Sequence, residues 1–214
     1  MGNGLAGCLL AAVAVSLVVW IVKAPLPGDT WLSREMNGWA RLDAAASIVN
    51  RVGDWQAVVL AIALGIAVVQ GLRRRGGSAP QAVVLLLLIV PLLFLDNALK
   101  ALVDSPRPGL ADGIVPDRVY DSGGFPSGHT MGAVILYGAL ASAWPLLFRG
   151  HSRRVAWLTA APMVIAAGPS RIITGAHWPS DVIGGYLWGA AALLFALQAA
   201  RRLTRTHGKQ SHIW

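Results

Sequence analysis

The chain has 214 residues, 55% of them hydrophobic and only 13% charged. A soluble globular domain carries roughly 25% charged residues, so the deficit points to a bilayer and to one helical bundle over residues 1–214. The formal charge is +8, but the basic residues stand in short clusters between long apolar runs, which argues against a nucleic-acid partner, and the lone Cys8 excludes an intrachain disulfide or a cysteine metal site.

A spanning helix needs about 20 mostly apolar residues. Six stretches qualify: Leu5 to Val22, Trp55 to Leu72, Gln81 to Val103, His129 to Phe148, Val155 to Ile173 and Val182 to Ala200. The expected fold is therefore all-α, a polytopic bundle of six transmembrane helices. The first stretch is too long for a secretory signal, and Met1-Gly2-Asn3-Gly4 supplies no positive leader, so a retained helix is expected. After it, Ala24-Pro25-Leu26-Pro27-Gly28-Asp29 reads as a turn-rich exit. From Trp31 to Asp43 the pattern is amphipathic. Trp31, Leu32, Met36, Trp39 and Leu42 share one helical face, interrupted by Glu35, and Ser33, Arg34, Asn37 and Arg41 share the other. An interfacial helix with tryptophans at headgroup level accounts for this pattern, and so does a packed loop helix.

Six spans put both termini on one side. Arg73, Arg74 and Arg75 follow the second span, Arg149, Arg153 and Arg154 the fourth, and Arg201, Arg202, Arg205 and Lys209 the sixth. Positive residues in short loops mark the cytoplasmic side. The expected topology thus has both termini cytoplasmic. The outer face keeps Lys23, Arg34, Arg41, Arg51, Lys100, Arg107, Arg118 and Arg171, and all ten acidic residues belong to it or to helix ends near it.

Three clusters fall on that outer side, and they carry the chemistry. The first runs from Lys100 through six residues to Arg107-Pro108. Arginine offers a planar fork that matches phosphate oxygens, and lysine a compact charge. Pro106 and Pro108 restrict the backbone around Arg107. Taken alone, such a pair also suits interfacial anchoring. Asp96, one turn before Lys100, is positioned for an i, i+4 pair. The second cluster, Pro126-Ser127-Gly128-His129, reads as a helix start with Ser127 as cap. Free N–H groups there bind anions, Gly128 allows close approach, and His129 is placed to donate a proton to a leaving oxygen. An ordinary capped helix with a surface histidine fits the same four residues.

The third cluster is Ser170-Arg171, His177 and Asp181. The i, i+4 spacing lets the carboxylate orient the imidazole, leaving the other ring nitrogen free as nucleophile or base. A loop salt bridge plus a helix cap is the bland alternative. Together the clusters supply three fixed cations, two histidines and a serine, and no carboxylate or cysteine group of metal-ligand type, so neither a metal nor another cofactor is expected. Trp178 either shapes the pocket or anchors the interface. Gly185 and Gly189 form a small-xxx-small pattern suited to helix packing within the bundle. Arg118, Tyr120 and Asp121 lie where a head group could be touched.

Lys-x6-Arg-Pro, Pro-Ser-Gly-His and Ser-Arg-x5-His-x3-Asp, in this order and without a substitution from Lys100 to Asp181, resemble the three motifs of the type-2 phosphatidic-acid phosphatase superfamily. The resemblance implies a membrane lipid phosphatase working through a phosphohistidine. His177 would attack phosphorus, oriented by Asp181. His129 would protonate the leaving lipid oxygen. Lys100, Arg107, Ser127, the Gly128 amide and Arg171 would hold the phosphoryl oxygens. The implied substrate is a membrane lipid phosphate or diphosphate, of phosphatidate, phosphatidylglycerophosphate or undecaprenyl diphosphate type. Competing readings are a phosphotransferase with an alcohol acceptor, a vanadate-type haloperoxidase, which the apolar spans oppose, and a non-enzymatic lipid-binding protein, which the intact histidines oppose.

Overall fold

The computed structural model describes residues 2–23, 25–73, 79–148 and 152–210, without the side chains of 2 and 206–210. Met1, Ala24, Arg74, Arg75 and Arg149 lie outside the described residues, as does the side chain of Lys209. Nine α-helices occur among the described residues: α1 (Gly2–Val22), α2 (Asp29–Asn37), α3 (Ala40–Asp54), α4 (Gln56–Arg73), α5 (Ala79–Leu92), α6 (Leu95–Val103), α7 (Gly128–Leu147), α8 (Arg153–Ile173) and α9 (Pro179–Gln210). A short 3-10 turn covers Leu110–Asp112, and no strand occurs among these residues. Six segments are long and apolar enough to cross a membrane: Asn3–Val22, Gln56–Arg73, Ala79–Val103, Gly128–Leu147, Arg153–Ile173 and Pro179–Arg205. The protein is an integral-membrane helical bundle. Helices satisfy every backbone polar group internally, which hydrocarbon demands.

α7 is the central post. Two-thirds (67%) of its apolar window is buried, against 11% for α1 and α4, whose outward leucines, isoleucines and valines face lipid. Met131, Ile135, Leu136 and Ala139 of α7 pack with Leu85, Leu86 and Ile89 of α5 and Ala196 of α9. α9 crosses α7 closely because Gly185 and Gly189 carry no side chain. A Cβ at Gly185 would lie 2.7 Å from the Ser127 carbonyl oxygen, and one at Gly189 would lie 2.9 Å from that of Met131. The small-xxx-small pattern serves packing inside the bundle, as expected. α1 is fastened to α9 by the Trp188 indole N–H, which donates to Ser16 Oγ at 3.0 Å.

The third span is not one helix. Pro91 lies in the last turn of its first part. α5 stops at Leu92, Leu93 and Phe94 form a turn, and α6 restarts at Leu95. The short α6, with Asp96 and Lys100, is therefore a separate element. At its end Lys23 Nζ donates to the carbonyls of Val103 (2.6 Å) and Asp104 (3.1 Å), a cation closing a helix C-terminus.

The Trp31 to Asp43 segment also departs from expectation. It breaks at Gly38 and Trp39 into α2 and α3, and its inward face is mixed. Ser33 is buried beside Met36, whereas Trp31 is 71% exposed. The polar side turns inward because it completes other backbones. Asn37 donates to the Ile173 carbonyl at 2.9 Å and accepts the Val115 N–H at 3.0 Å. From α3, Asn50 donates to Thr174 Oγ1 (3.1 Å) and accepts from Ser170 Oγ (2.9 Å), tying α3 to the end of α8.

Candidate active site

The end of α6, the start of α7, the end of α8 and the start of α9 meet at one end of the bundle. All eight candidate residues from the three clusters lie at these helix ends or in the loops joining them. The centre is His177, fully buried immediately before α9. Its Nδ1 lies 3.3 Å from Asp181 Oδ2, which also accepts the Trp178 N–H at 3.0 Å. Its Nε2 lies 3.2 Å from an Arg107 guanidinium nitrogen. A guanidinium can only donate, so Nε2 must be the bare nitrogen and Nδ1–H donates to Asp181. Burial holds His177 well below the ordinary imidazole range, and Arg107, Arg171, Lys100 and His129 push the same way. A neutral imidazole with its lone pair turned toward fixed cations is the arrangement a nucleophile needs.

Arg107 is locked from several sides. Nε donates to the Ser122 carbonyl (2.8 Å), and the nitrogen facing His177 also donates to the Ala176 carbonyl (2.7 Å). Burial lowers its affinity for the proton, while Asp181 pulls the other way. Trp178 is buried, and its indole N–H donates to the Pro106 carbonyl at 3.0 Å. It braces the loop that carries Arg107.

Arg171, at the end of α8, is 1% exposed. One terminal nitrogen donates to Tyr120 Oη at 2.8 Å, while its Nε is buried without a partner. Such an orphaned donor costs about 1–3 kcal/mol unless a ligand meets it. Tyr120 gathers the cations. The guanidinium carbons of Arg107, Arg118 and Arg171 lie 4.2, 5.0 and 5.8 Å from its ring centre. Burial raises its phenol above the usual range, as does the 2.6 Å bond to Asp117. Guanidiniums grouped this closely repel one another, and an anion among them relieves that repulsion.

Ser127 stands at the N-cap of α7, but its hydroxyl makes no cap hydrogen bond. The capping expected of it is not seen, and its oxygen instead accepts from Thr130 Oγ1 at 3.0 Å. That leaves the serine's own proton available to an oxyanion. The Ser127 N–H donates to the Asp181 carbonyl at 3.0 Å, joining the second and third clusters through their backbones. Lys100 pairs with Asp96 at 2.7 Å, the expected i, i+4 bridge. A Cβ at Gly128 would collide with that Asp96 carboxylate and lie 3.1 Å from Lys100 Nζ, so only glycine lets the pair rest on the first turn of α7. Among the described residues no three His, Cys, Asp or Glu side chains gather as a metal-ligand set.

His129, in the first turn of α7, makes its side-chain contact with Asp54 at the end of α3, Nε2 to Oδ1 at 2.9 Å. Neither Asp54 nor the anchoring by Asn50 was recognised from sequence. Both pair across more than seventy positions, where no local spacing betrays them. Asp54 did carry one signal. A carboxylate at a helix C-terminus opposes the helix dipole, which suggests another reason for its presence.

Helices spanning a membrane, with an oxyanion-sized cluster of cations and histidines at one end, define a membrane protein built to handle a phosphate-like group. The model of the PAP2 superfamily matches residues 81–205, and the chain belongs to that family. A phosphatidylglycerophosphatase B of Bacillus subtilis is 31% identical over 105 residues, 48% of this chain and 49% of that protein. A lipid A 1-phosphatase of Rhizobium johnstonii is 44% identical over 78 residues, 36% of this chain and 28% of that protein. The matched stretch thus spans about half the length of the first relative and less of the second. The crystal structure of a transmembrane PAP2 type phosphatidylglycerolphosphate phosphatase from Bacillus subtilis superposes with a TM-score of 0.77. It covers 93% of this chain and 96% of that one at 19% identity, a likeness of fold.

Proposed function

We propose that this protein is a lipid phosphatase that removes a phosphoryl group from a membrane lipid by way of a phosphohistidine on His177. The observation that carries the reading is the two-sided grip on one imidazole, Arg107 at Nε2 and Asp181 at Nδ1. In the first step Nε2 bonds to phosphorus and the bond from phosphorus to the lipid oxygen breaks. The leaving oxygen takes a proton from His129. Water then attacks phosphorus, the P–N bond breaks, the water's proton returns to His129, and inorganic phosphate departs. Lys100, Arg107, Ser127, the Gly128 amide and Arg171 hold the three equatorial oxygens, where positioning and charge carry most of phosphoryl transfer. The activities for which the two relatives are named favour a phosphomonoester of a glycerophospholipid or glycolipid over a polyprenyl diphosphate.

In this reading residues 1–214 act as one membrane domain in a bacterial inner membrane, with both termini cytoplasmic and the site on the outer face. The support is the arginine content of the opposite helix ends, Arg73, Arg153, Arg154, Arg201, Arg202 and Arg205. The test is phosphate release by the purified protein from a panel of lipid phosphates and diphosphates. Release from phosphatidate or phosphatidylglycerophosphate, abolished in His177→Ala, is the expected result. No release from any member would overturn the proposal.

A further inference from the structure

The reaction asks two histidines to do different work, and only His177 has a partner within the three sequence clusters. His129 finds its partner elsewhere. We propose that Asp54 is a positioning residue for the proton donor: its carboxylate holds Nε2 of His129, so that Nδ1 carries the proton delivered to the leaving oxygen. This rests on the reading of His129 as the acid of the first step.

Three residues at the α3–α4 corner close on the first turn of α7. Asp54 Oδ1 lies 2.9 Å from Nε2. Gly53 has no side chain, and a Cβ there would collide with the ring's Cδ2 and lie 3.3 Å from Nε2, so the backbone of α3 lies flat against the imidazole edge. Gln56 Nε2 reaches the His129 carbonyl at 3.4 Å, and its amide fills the space beside Gly132. Nδ1 has no hydrogen-bond partner among the described residues, so it is the nitrogen left for a substrate. None of these three residues lies within residues 81–205, the stretch matched by the family model.

The charges around the ring give the carboxylate its purpose. Arg118 of the loop and Arg171 of α8 face His129, His177 lies before α9, and Lys100 of α6 is paired with Asp96. A protonated His129 is repelled by Arg118 and Arg171, and Asp54 is the carboxylate in contact with it. The Asp54 side chain is 50% exposed against 22% for His129. An ion pair this exposed adds little to folding, so its removal leaves the bundle intact and isolates its effect on the acid.

The two roles separate by leaving group. An alkoxide needs a proton in order to leave, and a nitrophenolate does not. Single-turnover rates would be measured for the full chain in detergent with an alkyl phosphate lipid and with a nitrophenyl phosphate bearing the same tail. General acid catalysis supplies roughly 10²–10⁴-fold, so Asp54→Asn should slow the alkyl substrate by ~10-fold or more and the nitrophenyl one by less than ~3-fold. Asp54→Glu should recover part of the alkyl rate. His129→Ala should show the same selectivity, larger. If Asp54→Asn slows both substrates equally, or neither, Asp54 does not position the acid, while a selective loss in His129→Ala would still uphold the acid itself. If His129→Ala shows no selectivity, the acid assignment falls and this inference falls with it.

Discussion

Replacing Asp181 by asparagine tests the tautomer of His177, and the structure sets the size of the effect. Asp181 Oδ2 accepts two hydrogen bonds, from His177 Nδ1 at 3.3 Å and from the Trp178 N–H at 3.0 Å, while Oδ1 is buried with no partner. An asparagine has two ways to sit there. With its oxygen in the Oδ2 place, both bonds survive and the amide nitrogen is orphaned, which costs about 1–3 kcal/mol of stability. With its nitrogen in that place, it meets the Trp178 N–H donor to donor and drives the imidazole proton onto Nε2, against Arg107. The first arrangement wins, so the tautomer is kept and only the charge is lost. A charge-assisted bond exceeds a neutral one by about 1–2 kcal/mol, so attack on phosphorus should slow by about 5- to 30-fold. Asp181→Ala, which leaves both donors unpaired, should be slower still, and His177→Ala should be inactive. Rapid-quench single turnovers with a labelled lipid phosphate measure all three. An Asp181→Asn variant as dead as His177→Ala, or as fast as the unmodified protein, would refute the tautomer argument.

Turnover should persist in excess chelator, because Lys100, Arg107 and Arg171 supply the charge that a metal would otherwise bring; loss of activity restored by one divalent metal would contradict this. The acid limb should also be displaced. The neutral ring is the nucleophile, an ordinary imidazole is half protonated near pH ~6.5, and burial and cations hold His177 well below that range. The single-turnover rate should therefore show no loss as the pH falls from about 7.5 to about 6, and a loss centred near 6.5 would count against it. With Cys8 removed, an impermeant thiol reagent applied to intact cells should label Leu110→Cys, at a site 76% exposed in the loop before α7, and spare Arg205→Cys. The reverse pattern would put the site on the cytoplasmic face.

Much of this architecture is legible in hydropathy alone, because a bilayer permits few alternatives to long apolar helices. Each of the six apolar runs corresponds to a membrane-length segment, with ends displaced by a few residues except at α9, which continues well past Ala200. Interruptions were harder to see. A turn at Leu93 and Phe94 splits the third span, and Gly38 with Trp39 splits the amphipathic segment whose polar side turns inward. There the requirement of the Ile173 and Val115 backbones for Asn37 outweighed the helical-face pattern. The site divides along the same line. Asp96 with Lys100, and His177 with Asp181, are each four residues apart, so spacing reveals them. Asp54 with His129, and Arg171 with Tyr120, meet only once segments distant in sequence have packed.

Between the two steps the phosphoryl group should reside on His177. A single turnover with labelled lipid phosphate, quenched in alkali so that a phosphohistidine survives, can be digested and the label mapped by mass spectrometry. The label is expected on His177, stable to base and released by acid, and absent from His177→Ala, which should also release no phosphate. Label on any other residue, or continued phosphate release by His177→Ala, would contradict the account.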